Sequence, residues 1–553
     1  MTSLLELERS SFDVIIVGGG IIGTGIARDA ALRGMKVALF EKNDFGSGTT
    51  SGSTRLIHGG LRYLEMLDFR LVRLDLRERE TLLRIAPHLV KPLEFLVPFY
   101  DRSFFYRWKM EAGMVLYDLL SFDKTLPRHR VLNAEQIKAI EPQLRTENLQ
   151  GGALYYDAQA NSPERLCVEN IVEARERGAR LFNYSEVTAA LHSSDRVIGV
   201  RVRNTLDEDA EEIEVRGKVV VNASGPWFDR VAGRLTAPAG HQIRTTKGIH
   251  VTCPPVNERA IVLFSPIDSR LFFTIPWMGY SWIGTTDTDF TDDPGNARAT
   301  FDDVDYLITS AREYFPSINH DQVIFSNAGV RALVMEEGSE SSVSRMHRIE
   351  NGAESGTPGL ISVLGGKLTG YRAVAEEVTD IVARQVGNKE RCQTAELPMP
   401  GARPIKAKSA EEGIGEETTD HLTRLYGTRA VEVLQLADIN DRLFERLAPS
   451  YPDIAAQVIF AVRSEQCVRV ADFVWRRSLL GFSPDQGAGA WARIAELMSQ
   501  ELGWSLHWKL AEIGNCRQFA ERSQQFRKEG PSASLSEEIN SLNDPRPALA
   551  IRK

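Results

Sequence analysis

The sequence predicts an α/β fold that gives way to an all-helical region near residue 390, and three observations predict it. A β-branched run, a glycine turn and an Ala-rich stretch follow one another in FDVIIVGGGIIGTGIARDAALRGMKVALFEK at 12–42. The same strand, turn and helix order returns in GLISVLGGKLTGYRAVAEEVTDIVARQV at 359–386. Beyond about 390 the strand signals thin out, and amphipathic stretches alternate with breaks such as LAPSYPD and LGFSPD.

Taken in order, Val14 to Val17 suit a buried parallel strand, which is apolar on both faces. The stretch after Gly25 suits a helix, and Lys36 to Glu41 begins the next strand. RLVRLDLRERETLLRIA (70–86) is charge-rich and helical, and SFFYRWKMEAGMVLYDLLSF (103–122) is aromatic and basic. From about 165 a helix (ERLCVENIVEARERG) precedes the strands ARLFNYSEV, VIGVRVRN and KVVVN. Residues 243–287 read as strands joined by turns. The expected division is a cofactor domain interleaved with a substrate domain over 1–390, the substrate part lying mainly at 85–165 and 240–345. A helical domain at 391–525 follows, then a Ser/Pro/Glu-rich tail at 526–553 expected to be disordered.

Composition narrows the function classes. The 553 residues are 42% hydrophobic and 25% charged, as in ordinary globular chains. A net charge of −9 favours neither nucleic acid nor an anionic bilayer through the overall field, so an anion site must be local. Five scattered cysteines with no C-x-x-C pair argue for reduced, mostly buried thiols in a cytosolic setting, without a disulfide framework or metal site. MTSLLELERSSFD lacks the basic start and apolar run of a signal peptide. No window approaches about 18 uninterrupted apolar residues.

Gly18, Gly20 and Gly23 complete G-x-G-x-x-G between a strand and a helix. The first glycine permits the turn, the second lets a pyrophosphate approach the backbone, and the third lets helix and strand pack closely. Glu41 follows eighteen residues after Gly23, where an acid binds a ribose hydroxyl pair. The pattern predicts a dinucleotide site, with a glycine-rich structural turn as the alternative. Two further glycine turns, Ser224-Gly225 and LGGKLTGYR, lie far downstream. Three turns spread over so much chain favour one long cofactor, FAD, over NAD. KVVVNASGPW resembles the segment that two-dinucleotide-binding-domain flavoproteins place beside FAD, and the resemblance implies the fold class: α/β, a split Rossmann-like FAD-binding domain with an interleaved antiparallel-sheet substrate domain, of the glutathione reductase/D-amino-acid oxidase type, plus a C-terminal all-α domain.

The ordered segments IVGGGIIGTGIARDAALRG, TRLIHGGLRYLE, VNASGPW, TKGIHV, IPWMGYSWIGTTD, AGVRAL, GGKLTGYR and CVRVADFVWRRS together resemble the FAD-dependent, aerobic, quinone-linked glycerol-3-phosphate dehydrogenases. Arg55 departs from the lysine common before L-I-H-G-G, and Gly370 from a usual Thr. The resemblance implies oxidation of sn-glycerol 3-phosphate to dihydroxyacetone phosphate by hydride transfer from C2 to flavin N5. Quinone is the implied acceptor, with O2 the alternative, and an amine or amino-acid oxidase on the same fold is the rival enzyme. It further implies a cytoplasmic protein held peripherally on the inner face of the cell membrane, a homodimer being a possible assembly. SFFYRWKMEAGMVLYDLL suits an interfacial segment with snorkelling cations, or a helix packed against the substrate domain.

Arg62 and Tyr63 are implied to face the substrate, an arginine fork suiting a phosphate; a surface ion pair is the alternative for Arg62. Gly59 and Gly60 let the backbone pass close to a flavin ring. His58 hydrogen-bonds the flavin, attaches to it, or is structural. His250 is the candidate general base, with a water relay as its competitor. Arg331 and Lys367 are carried over as catalytic and substrate cations, Lys367 opening a helix beside the flavin N1–C2 carbonyl. Thr286 donates to a phosphate oxygen, with Thr285 its competitor. Thr54, Val187, Gly366, Leu368 and Thr369 complete the expected cofactor contacts.

Overall fold

The computed structural model describes residues 4–65, 67–100, 104–207, 209–236, 242–335, 343–344, 346–404 and 415–531. Two sheets organise it. The first is the nucleotide sheet, ordered Arg348–Asn351, Leu360–Leu364, Ile213–Asn222, Ser11–Val17, Val37–Phe40, Arg180–Phe182. Its central pairings are parallel, and strands Ser11–Val17 and Val37–Phe40 are buried along nearly their whole length. Helices Ile21–Leu32, Pro163–Glu176 and Tyr371–Val386 pack together beside it. The stretch read as one strand, ARLFNYSEV, divides into Arg180–Phe182 and Ser185–Ser193, with Tyr184 at φ 52° between them.

The second sheet has eleven strands and is mostly antiparallel, drawn largely from 90–160 and 243–344. Strand Leu56–Ile57 pairs with Leu149–Ala160, so the stretch TRLIHGGLRYLE joins this sheet beside the cavity. Val90–Tyr100 and Ile243–Cys253 form its long ladders. The C-terminal helices from Ala455–Ser464 to Leu506–Ser523 share an apolar core with it that includes Trp277, Trp282, Phe482 and Trp475. The guanidinium of Arg55 is buried there. It pairs with Glu164 at 2.9 Å and stacks on Trp277 and Phe482 at 4.5 and 4.6 Å. Beyond the expected boundary at 525, Gln525–Lys528 forms a turn with Phe526 buried; residues 532–553 of the expected tail lie outside the described residues.

Candidate active site

The glycine turn sits where strand Ser11–Val17 ends. Gly18 takes φ 108°, and a Cβ there would stand 2.6 Å from the Ala223 carbonyl oxygen. A Cβ on Gly23 would stand 1.9 Å from the Gly18 oxygen, so this glycine serves helix–strand packing and does not line the cavity. Gly20, in contrast, opens to the cavity: its Cβ would meet nothing nearer than Thr50 Oγ1 at 3.8 Å. Helix Ile21–Leu32 has neither a side-chain cap nor an acid in its first turn. The first-turn amides beyond Ile21, together with the helix dipole, make this end an anion seat. Tyr371–Val386 also begins without a side-chain cap.

Glu41 Oε2 accepts from the Gly19 N–H at 2.7 Å, and Oε1 from Asn43 N–H at 2.9 Å. Desolvation raises its pKa despite both bonds. Ser224 Oγ donates to Asn222 Oδ1 at 2.6 Å, fixing the second turn, and Gly225 stands at φ 59°. The cavity holds about 320 Å³, within the range of ligand sites. Gly18, Gly20, Glu41, Val187, Ser224 and Gly225 line it together with Thr54, His58, Tyr63, His250, Arg331 and Gly366 to Thr369. A glycine cradle at an open helix end, an acid at a strand terminus and a shared cavity fit FAD.

Arg331 lies on strand Phe325–Met335, facing Thr246 across the ladder. Nη1 reaches Asp287 Oδ1 at 3.0 Å and Nη2 reaches Thr285 Oγ1 at 2.8 Å. Gly248 makes the seat, since a Cβ there would come within 2.2 Å of Nη2. Lys367 pairs with Asp75 at 2.8 Å, its ammonium 3.7 Å from the centroid of the Tyr63 ring. Burial pushes the Asp75 carboxyl from 3.8 up to about 6, against the pull of Lys367. His250 stacks on Trp282, and its Nε2 lies 3.0 Å from Thr54 Oγ1. Its Nδ1 is buried without a hydrogen-bond partner. Burial, with Arg331 and Arg55 nearby, pushes this imidazole down to about 3, so it is neutral at physiological pH.

Several expectations need correction. A Cβ on Gly59 would strike Leu76 and Tyr117 at 2.5–2.6 Å, and one on Gly60 would strike the Tyr63 ring at 2.3 Å. Neither glycine is among the cavity-lining residues, and close packing against Leu76, Tyr117 and Tyr63 itself requires the pair. Lys367 does not open a helix: positive φ at Gly365 and Gly366 turns the chain, and the helix starts at Tyr371. Thr286 does not line the cavity; its Oγ1 accepts from the Ile249 N–H at 3.1 Å, while Thr285 meets Arg331. The backbone of Arg62 belongs to the short helix Arg62–Glu65, and its side chain lies outside the described residues. His58 lines the cavity, meets Phe273 edge-on at 6.3 Å, and its backbone N–H donates to Thr369 Oγ1 at 3.1 Å.

Sequence reasoning missed Asp75, Asp287 and Thr50. Thr50 Oγ1 accepts from Ile21 N–H at 3.2 Å, beside the glycine turn. Asp75 had a signal. Val72, Asp75, Leu76 and Arg79 fall at helical spacing, and all four are buried, so the charged positions share the apolar face of their helix.

Comparison with known proteins agrees with this geometry. The family model "FAD dependent oxidoreductase" matches residues 13–372, and "C-terminal domain of alpha-glycerophosphate oxidase" matches 392–508. A glycerol-3-phosphate dehydrogenase of Synechocystis sp. is 39% identical over 527 residues, covering 91% of this chain and 95% of the relative. The aerobic glycerol-3-phosphate dehydrogenase of Bacillus subtilis is 34% identical over 500 residues, covering 86% and 88%. A crystal structure of the Bacillus halodurans glycerol-3-phosphate dehydrogenase complexed with FAD aligns with TM-score 0.76 at 29% identity, covering 94% of this chain and 96% of that one. By its motifs, its two sheets and these matches along nearly its whole length, this chain belongs to the FAD-dependent glycerol-3-phosphate dehydrogenase family.

Proposed function

We propose that this chain oxidises sn-glycerol 3-phosphate at C2 to dihydroxyacetone phosphate and passes the electrons to a membrane quinone. The observation that carries this is that Arg331, Lys367 and a neutral His250 line the same cavity as the Gly18–Gly20 turn. When bound, FAD supplies the acceptor for the hydride leaving C2. The chain's own groups do the rest.

Arg331 binds the phosphate. Its fork suits paired charge-assisted hydrogen bonds, and its present partner Asp287 is itself partly exposed and able to turn to water. Lys367, tethered by Asp75, adds positive charge toward the substrate. His250 accepts the hydroxyl proton. Its weak basicity reflects burial and two nearby guanidiniums, and a phosphate dianion against Arg331 offsets part of that field, raising the imidazole's affinity for a proton as substrate arrives. A water relay is the competing route for that proton.

The electron exit rests on helix Phe104–Leu120. Trp108, Val115 and Leu119 recur at helical spacing and are exposed, as are Phe122 in the turn that follows and Leu67 and Phe69. Such a surface suits the headgroup boundary of a bilayer, on the cytoplasmic side in this account. No described helix is long and apolar enough to cross a membrane.

Anaerobic addition of glycerol 3-phosphate to the FAD-loaded protein is expected to bleach the oxidised flavin band. Bleaching by glycine or sarcosine in its place would make the enzyme an amine oxidase, and no bleaching by either would remove the enzymatic assignment. Faster reoxidation by a short-chain quinone than by O2 is the expected second result; the reverse order would make it an oxidase.

A further inference from the structure

We propose that the C-terminal helical region clamps the cofactor site, with Arg476 and Arg477 acting as positioning residues through Asp44. This rests on the FAD site described above.

Asp44 lies in the segment that follows Glu41, and its neighbours Ser47 to Thr50 line the cavity. The carboxylate is fully buried and accepts four hydrogen bonds. Arg476 Nε donates at 2.5 Å, Arg477 Nη1 and Nη2 at 2.7 and 2.9 Å, and Asn183 Nδ2 at 3.0 Å. Two residues on, the Gly46 N–H donates to the carbonyl of Gly19, inside the glycine turn itself, at 2.9 Å. Thr50 Oγ1 then accepts the Ile21 amide at the start of the cofactor helix. An unbroken chain of contacts thus runs from the C-terminal helices to the dinucleotide turn.

The local backbone explains how two adjacent arginines reach one carboxylate. On an ordinary α-helix, consecutive side chains diverge by about 100°. Here Phe473–Arg477 is a π-helical turn closed by Ser478 N–H to Phe473 carbonyl at 2.8 Å, a wide turn often found at functional positions. Both guanidiniums are also held from behind, Arg476 by Asp472 at 2.6 Å and Arg477 by the Glu465 carbonyl at 3.0 Å. Asp472 in turn accepts from Tyr184 at 2.6 Å. None of Asp44, Arg476 and Arg477 lines the cavity. Their effect on the cofactor passes through the shape of the 44–50 segment.

The test compares FAD release from the holoenzyme on dilution, read as the gain in free-flavin fluorescence, for wild type, Arg477→Met, Arg477→Lys and Arg463→Ala. The last breaks an exposed C-terminal ion pair with Glu501 that does not touch the loop. Arg477→Met is expected to raise the FAD dissociation constant roughly tenfold, and Arg477→Lys, which keeps the charge but loses the fork, roughly threefold. Arg463→Ala stays within twofold. With FAD saturating, the KM for glycerol 3-phosphate in the Arg477 variants stays within twofold of wild type, which general damage to the fold would not allow. If Arg477→Met yields no folded holoenzyme, Arg477→Lys alone decides. An FAD affinity unchanged in the Arg477 variants, or a KM that rises in step with FAD loss, overturns the clamp. A wild-type protein that holds no FAD at all would instead overturn the cofactor assignment.

Discussion

Replacing Arg331 by Met removes the cation on which phosphate binding depends, and the structure sets the size of the loss. The guanidinium is about a quarter exposed and shared with Asp287 and Thr285. Asp287 is 38% exposed, so water replaces the lost partner and fold stability falls by no more than about 1 kcal/mol. Each charge-assisted hydrogen bond to the phosphate contributes roughly 1.5–3 kcal/mol. Sharing with Asp287 and partial exposure discount two such bonds to about 2–4 kcal/mol, or roughly 30- to 700-fold in kcat/KM. Steady-state rates with a dye acceptor, beside the flavin content of the same preparation, measure this. Most of the loss is expected in KM if the phosphate is held equally before and during hydride departure. Gly248→Ala is the companion: its Cβ would displace Nη2 without removing the charge, and is expected to cost a smaller part of the same kcat/KM. A kcat/KM within threefold of wild type for Arg331→Met, with flavin fully bound, would refute the phosphate role.

Other consequences are testable alongside. Asp75 is raised from 3.8 to about 6, so its contribution to stability is complete below pH 3.8 and is lost as pH rises through about 6, worth about 3 kcal/mol. Asp75→Asn should therefore gain melting temperature relative to wild type on moving from pH 4.5 to pH 8; an equal offset at both would contradict this. His250 is held near 3, so the folded state binds fewer protons than the unfolded chain below pH 6.5, and stability is lost as pH falls. Relative to His250→Gln, wild type should lose about 2 kcal/mol between pH 7 and pH 5, and a flat difference would show an imidazole that protonates normally. Serine at Trp108, Leu119 and Phe122 together should abolish flotation with anionic liposomes while the rate with a soluble dye persists; flotation unchanged would move the bilayer contact elsewhere.

Much of the nucleotide end was legible because its physics is local. A turn that needs Gly18 at positive φ, a second glycine open to a ligand and a third under the helix must be contiguous, so it shows as a motif. The substrate end is different. Asp75 and Lys367 meet across nearly 300 residues, and Arg331 meets Asp287 across two strands. Such pairings depend on register in the large sheet, which no local pattern announces. Gly59 and Gly60 show the converse: a glycine pair signals close approach without naming the neighbour, and Leu76, Tyr117 and Tyr63 stand where a Cβ would go. Asp44 was silent because its arginine partners stand more than 400 residues later, on a π-turn that single-residue propensities do not encode.

The most direct test is a structure of the FAD-loaded protein with dihydroxyacetone phosphate bound. It should place the phosphate oxygens within hydrogen-bond distance of Arg331, with the ketone carbon between His250 and the flavin. A phosphate seated away from Arg331 and Lys367, or a product bound outside the cavity that begins at Gly18, would contradict the account.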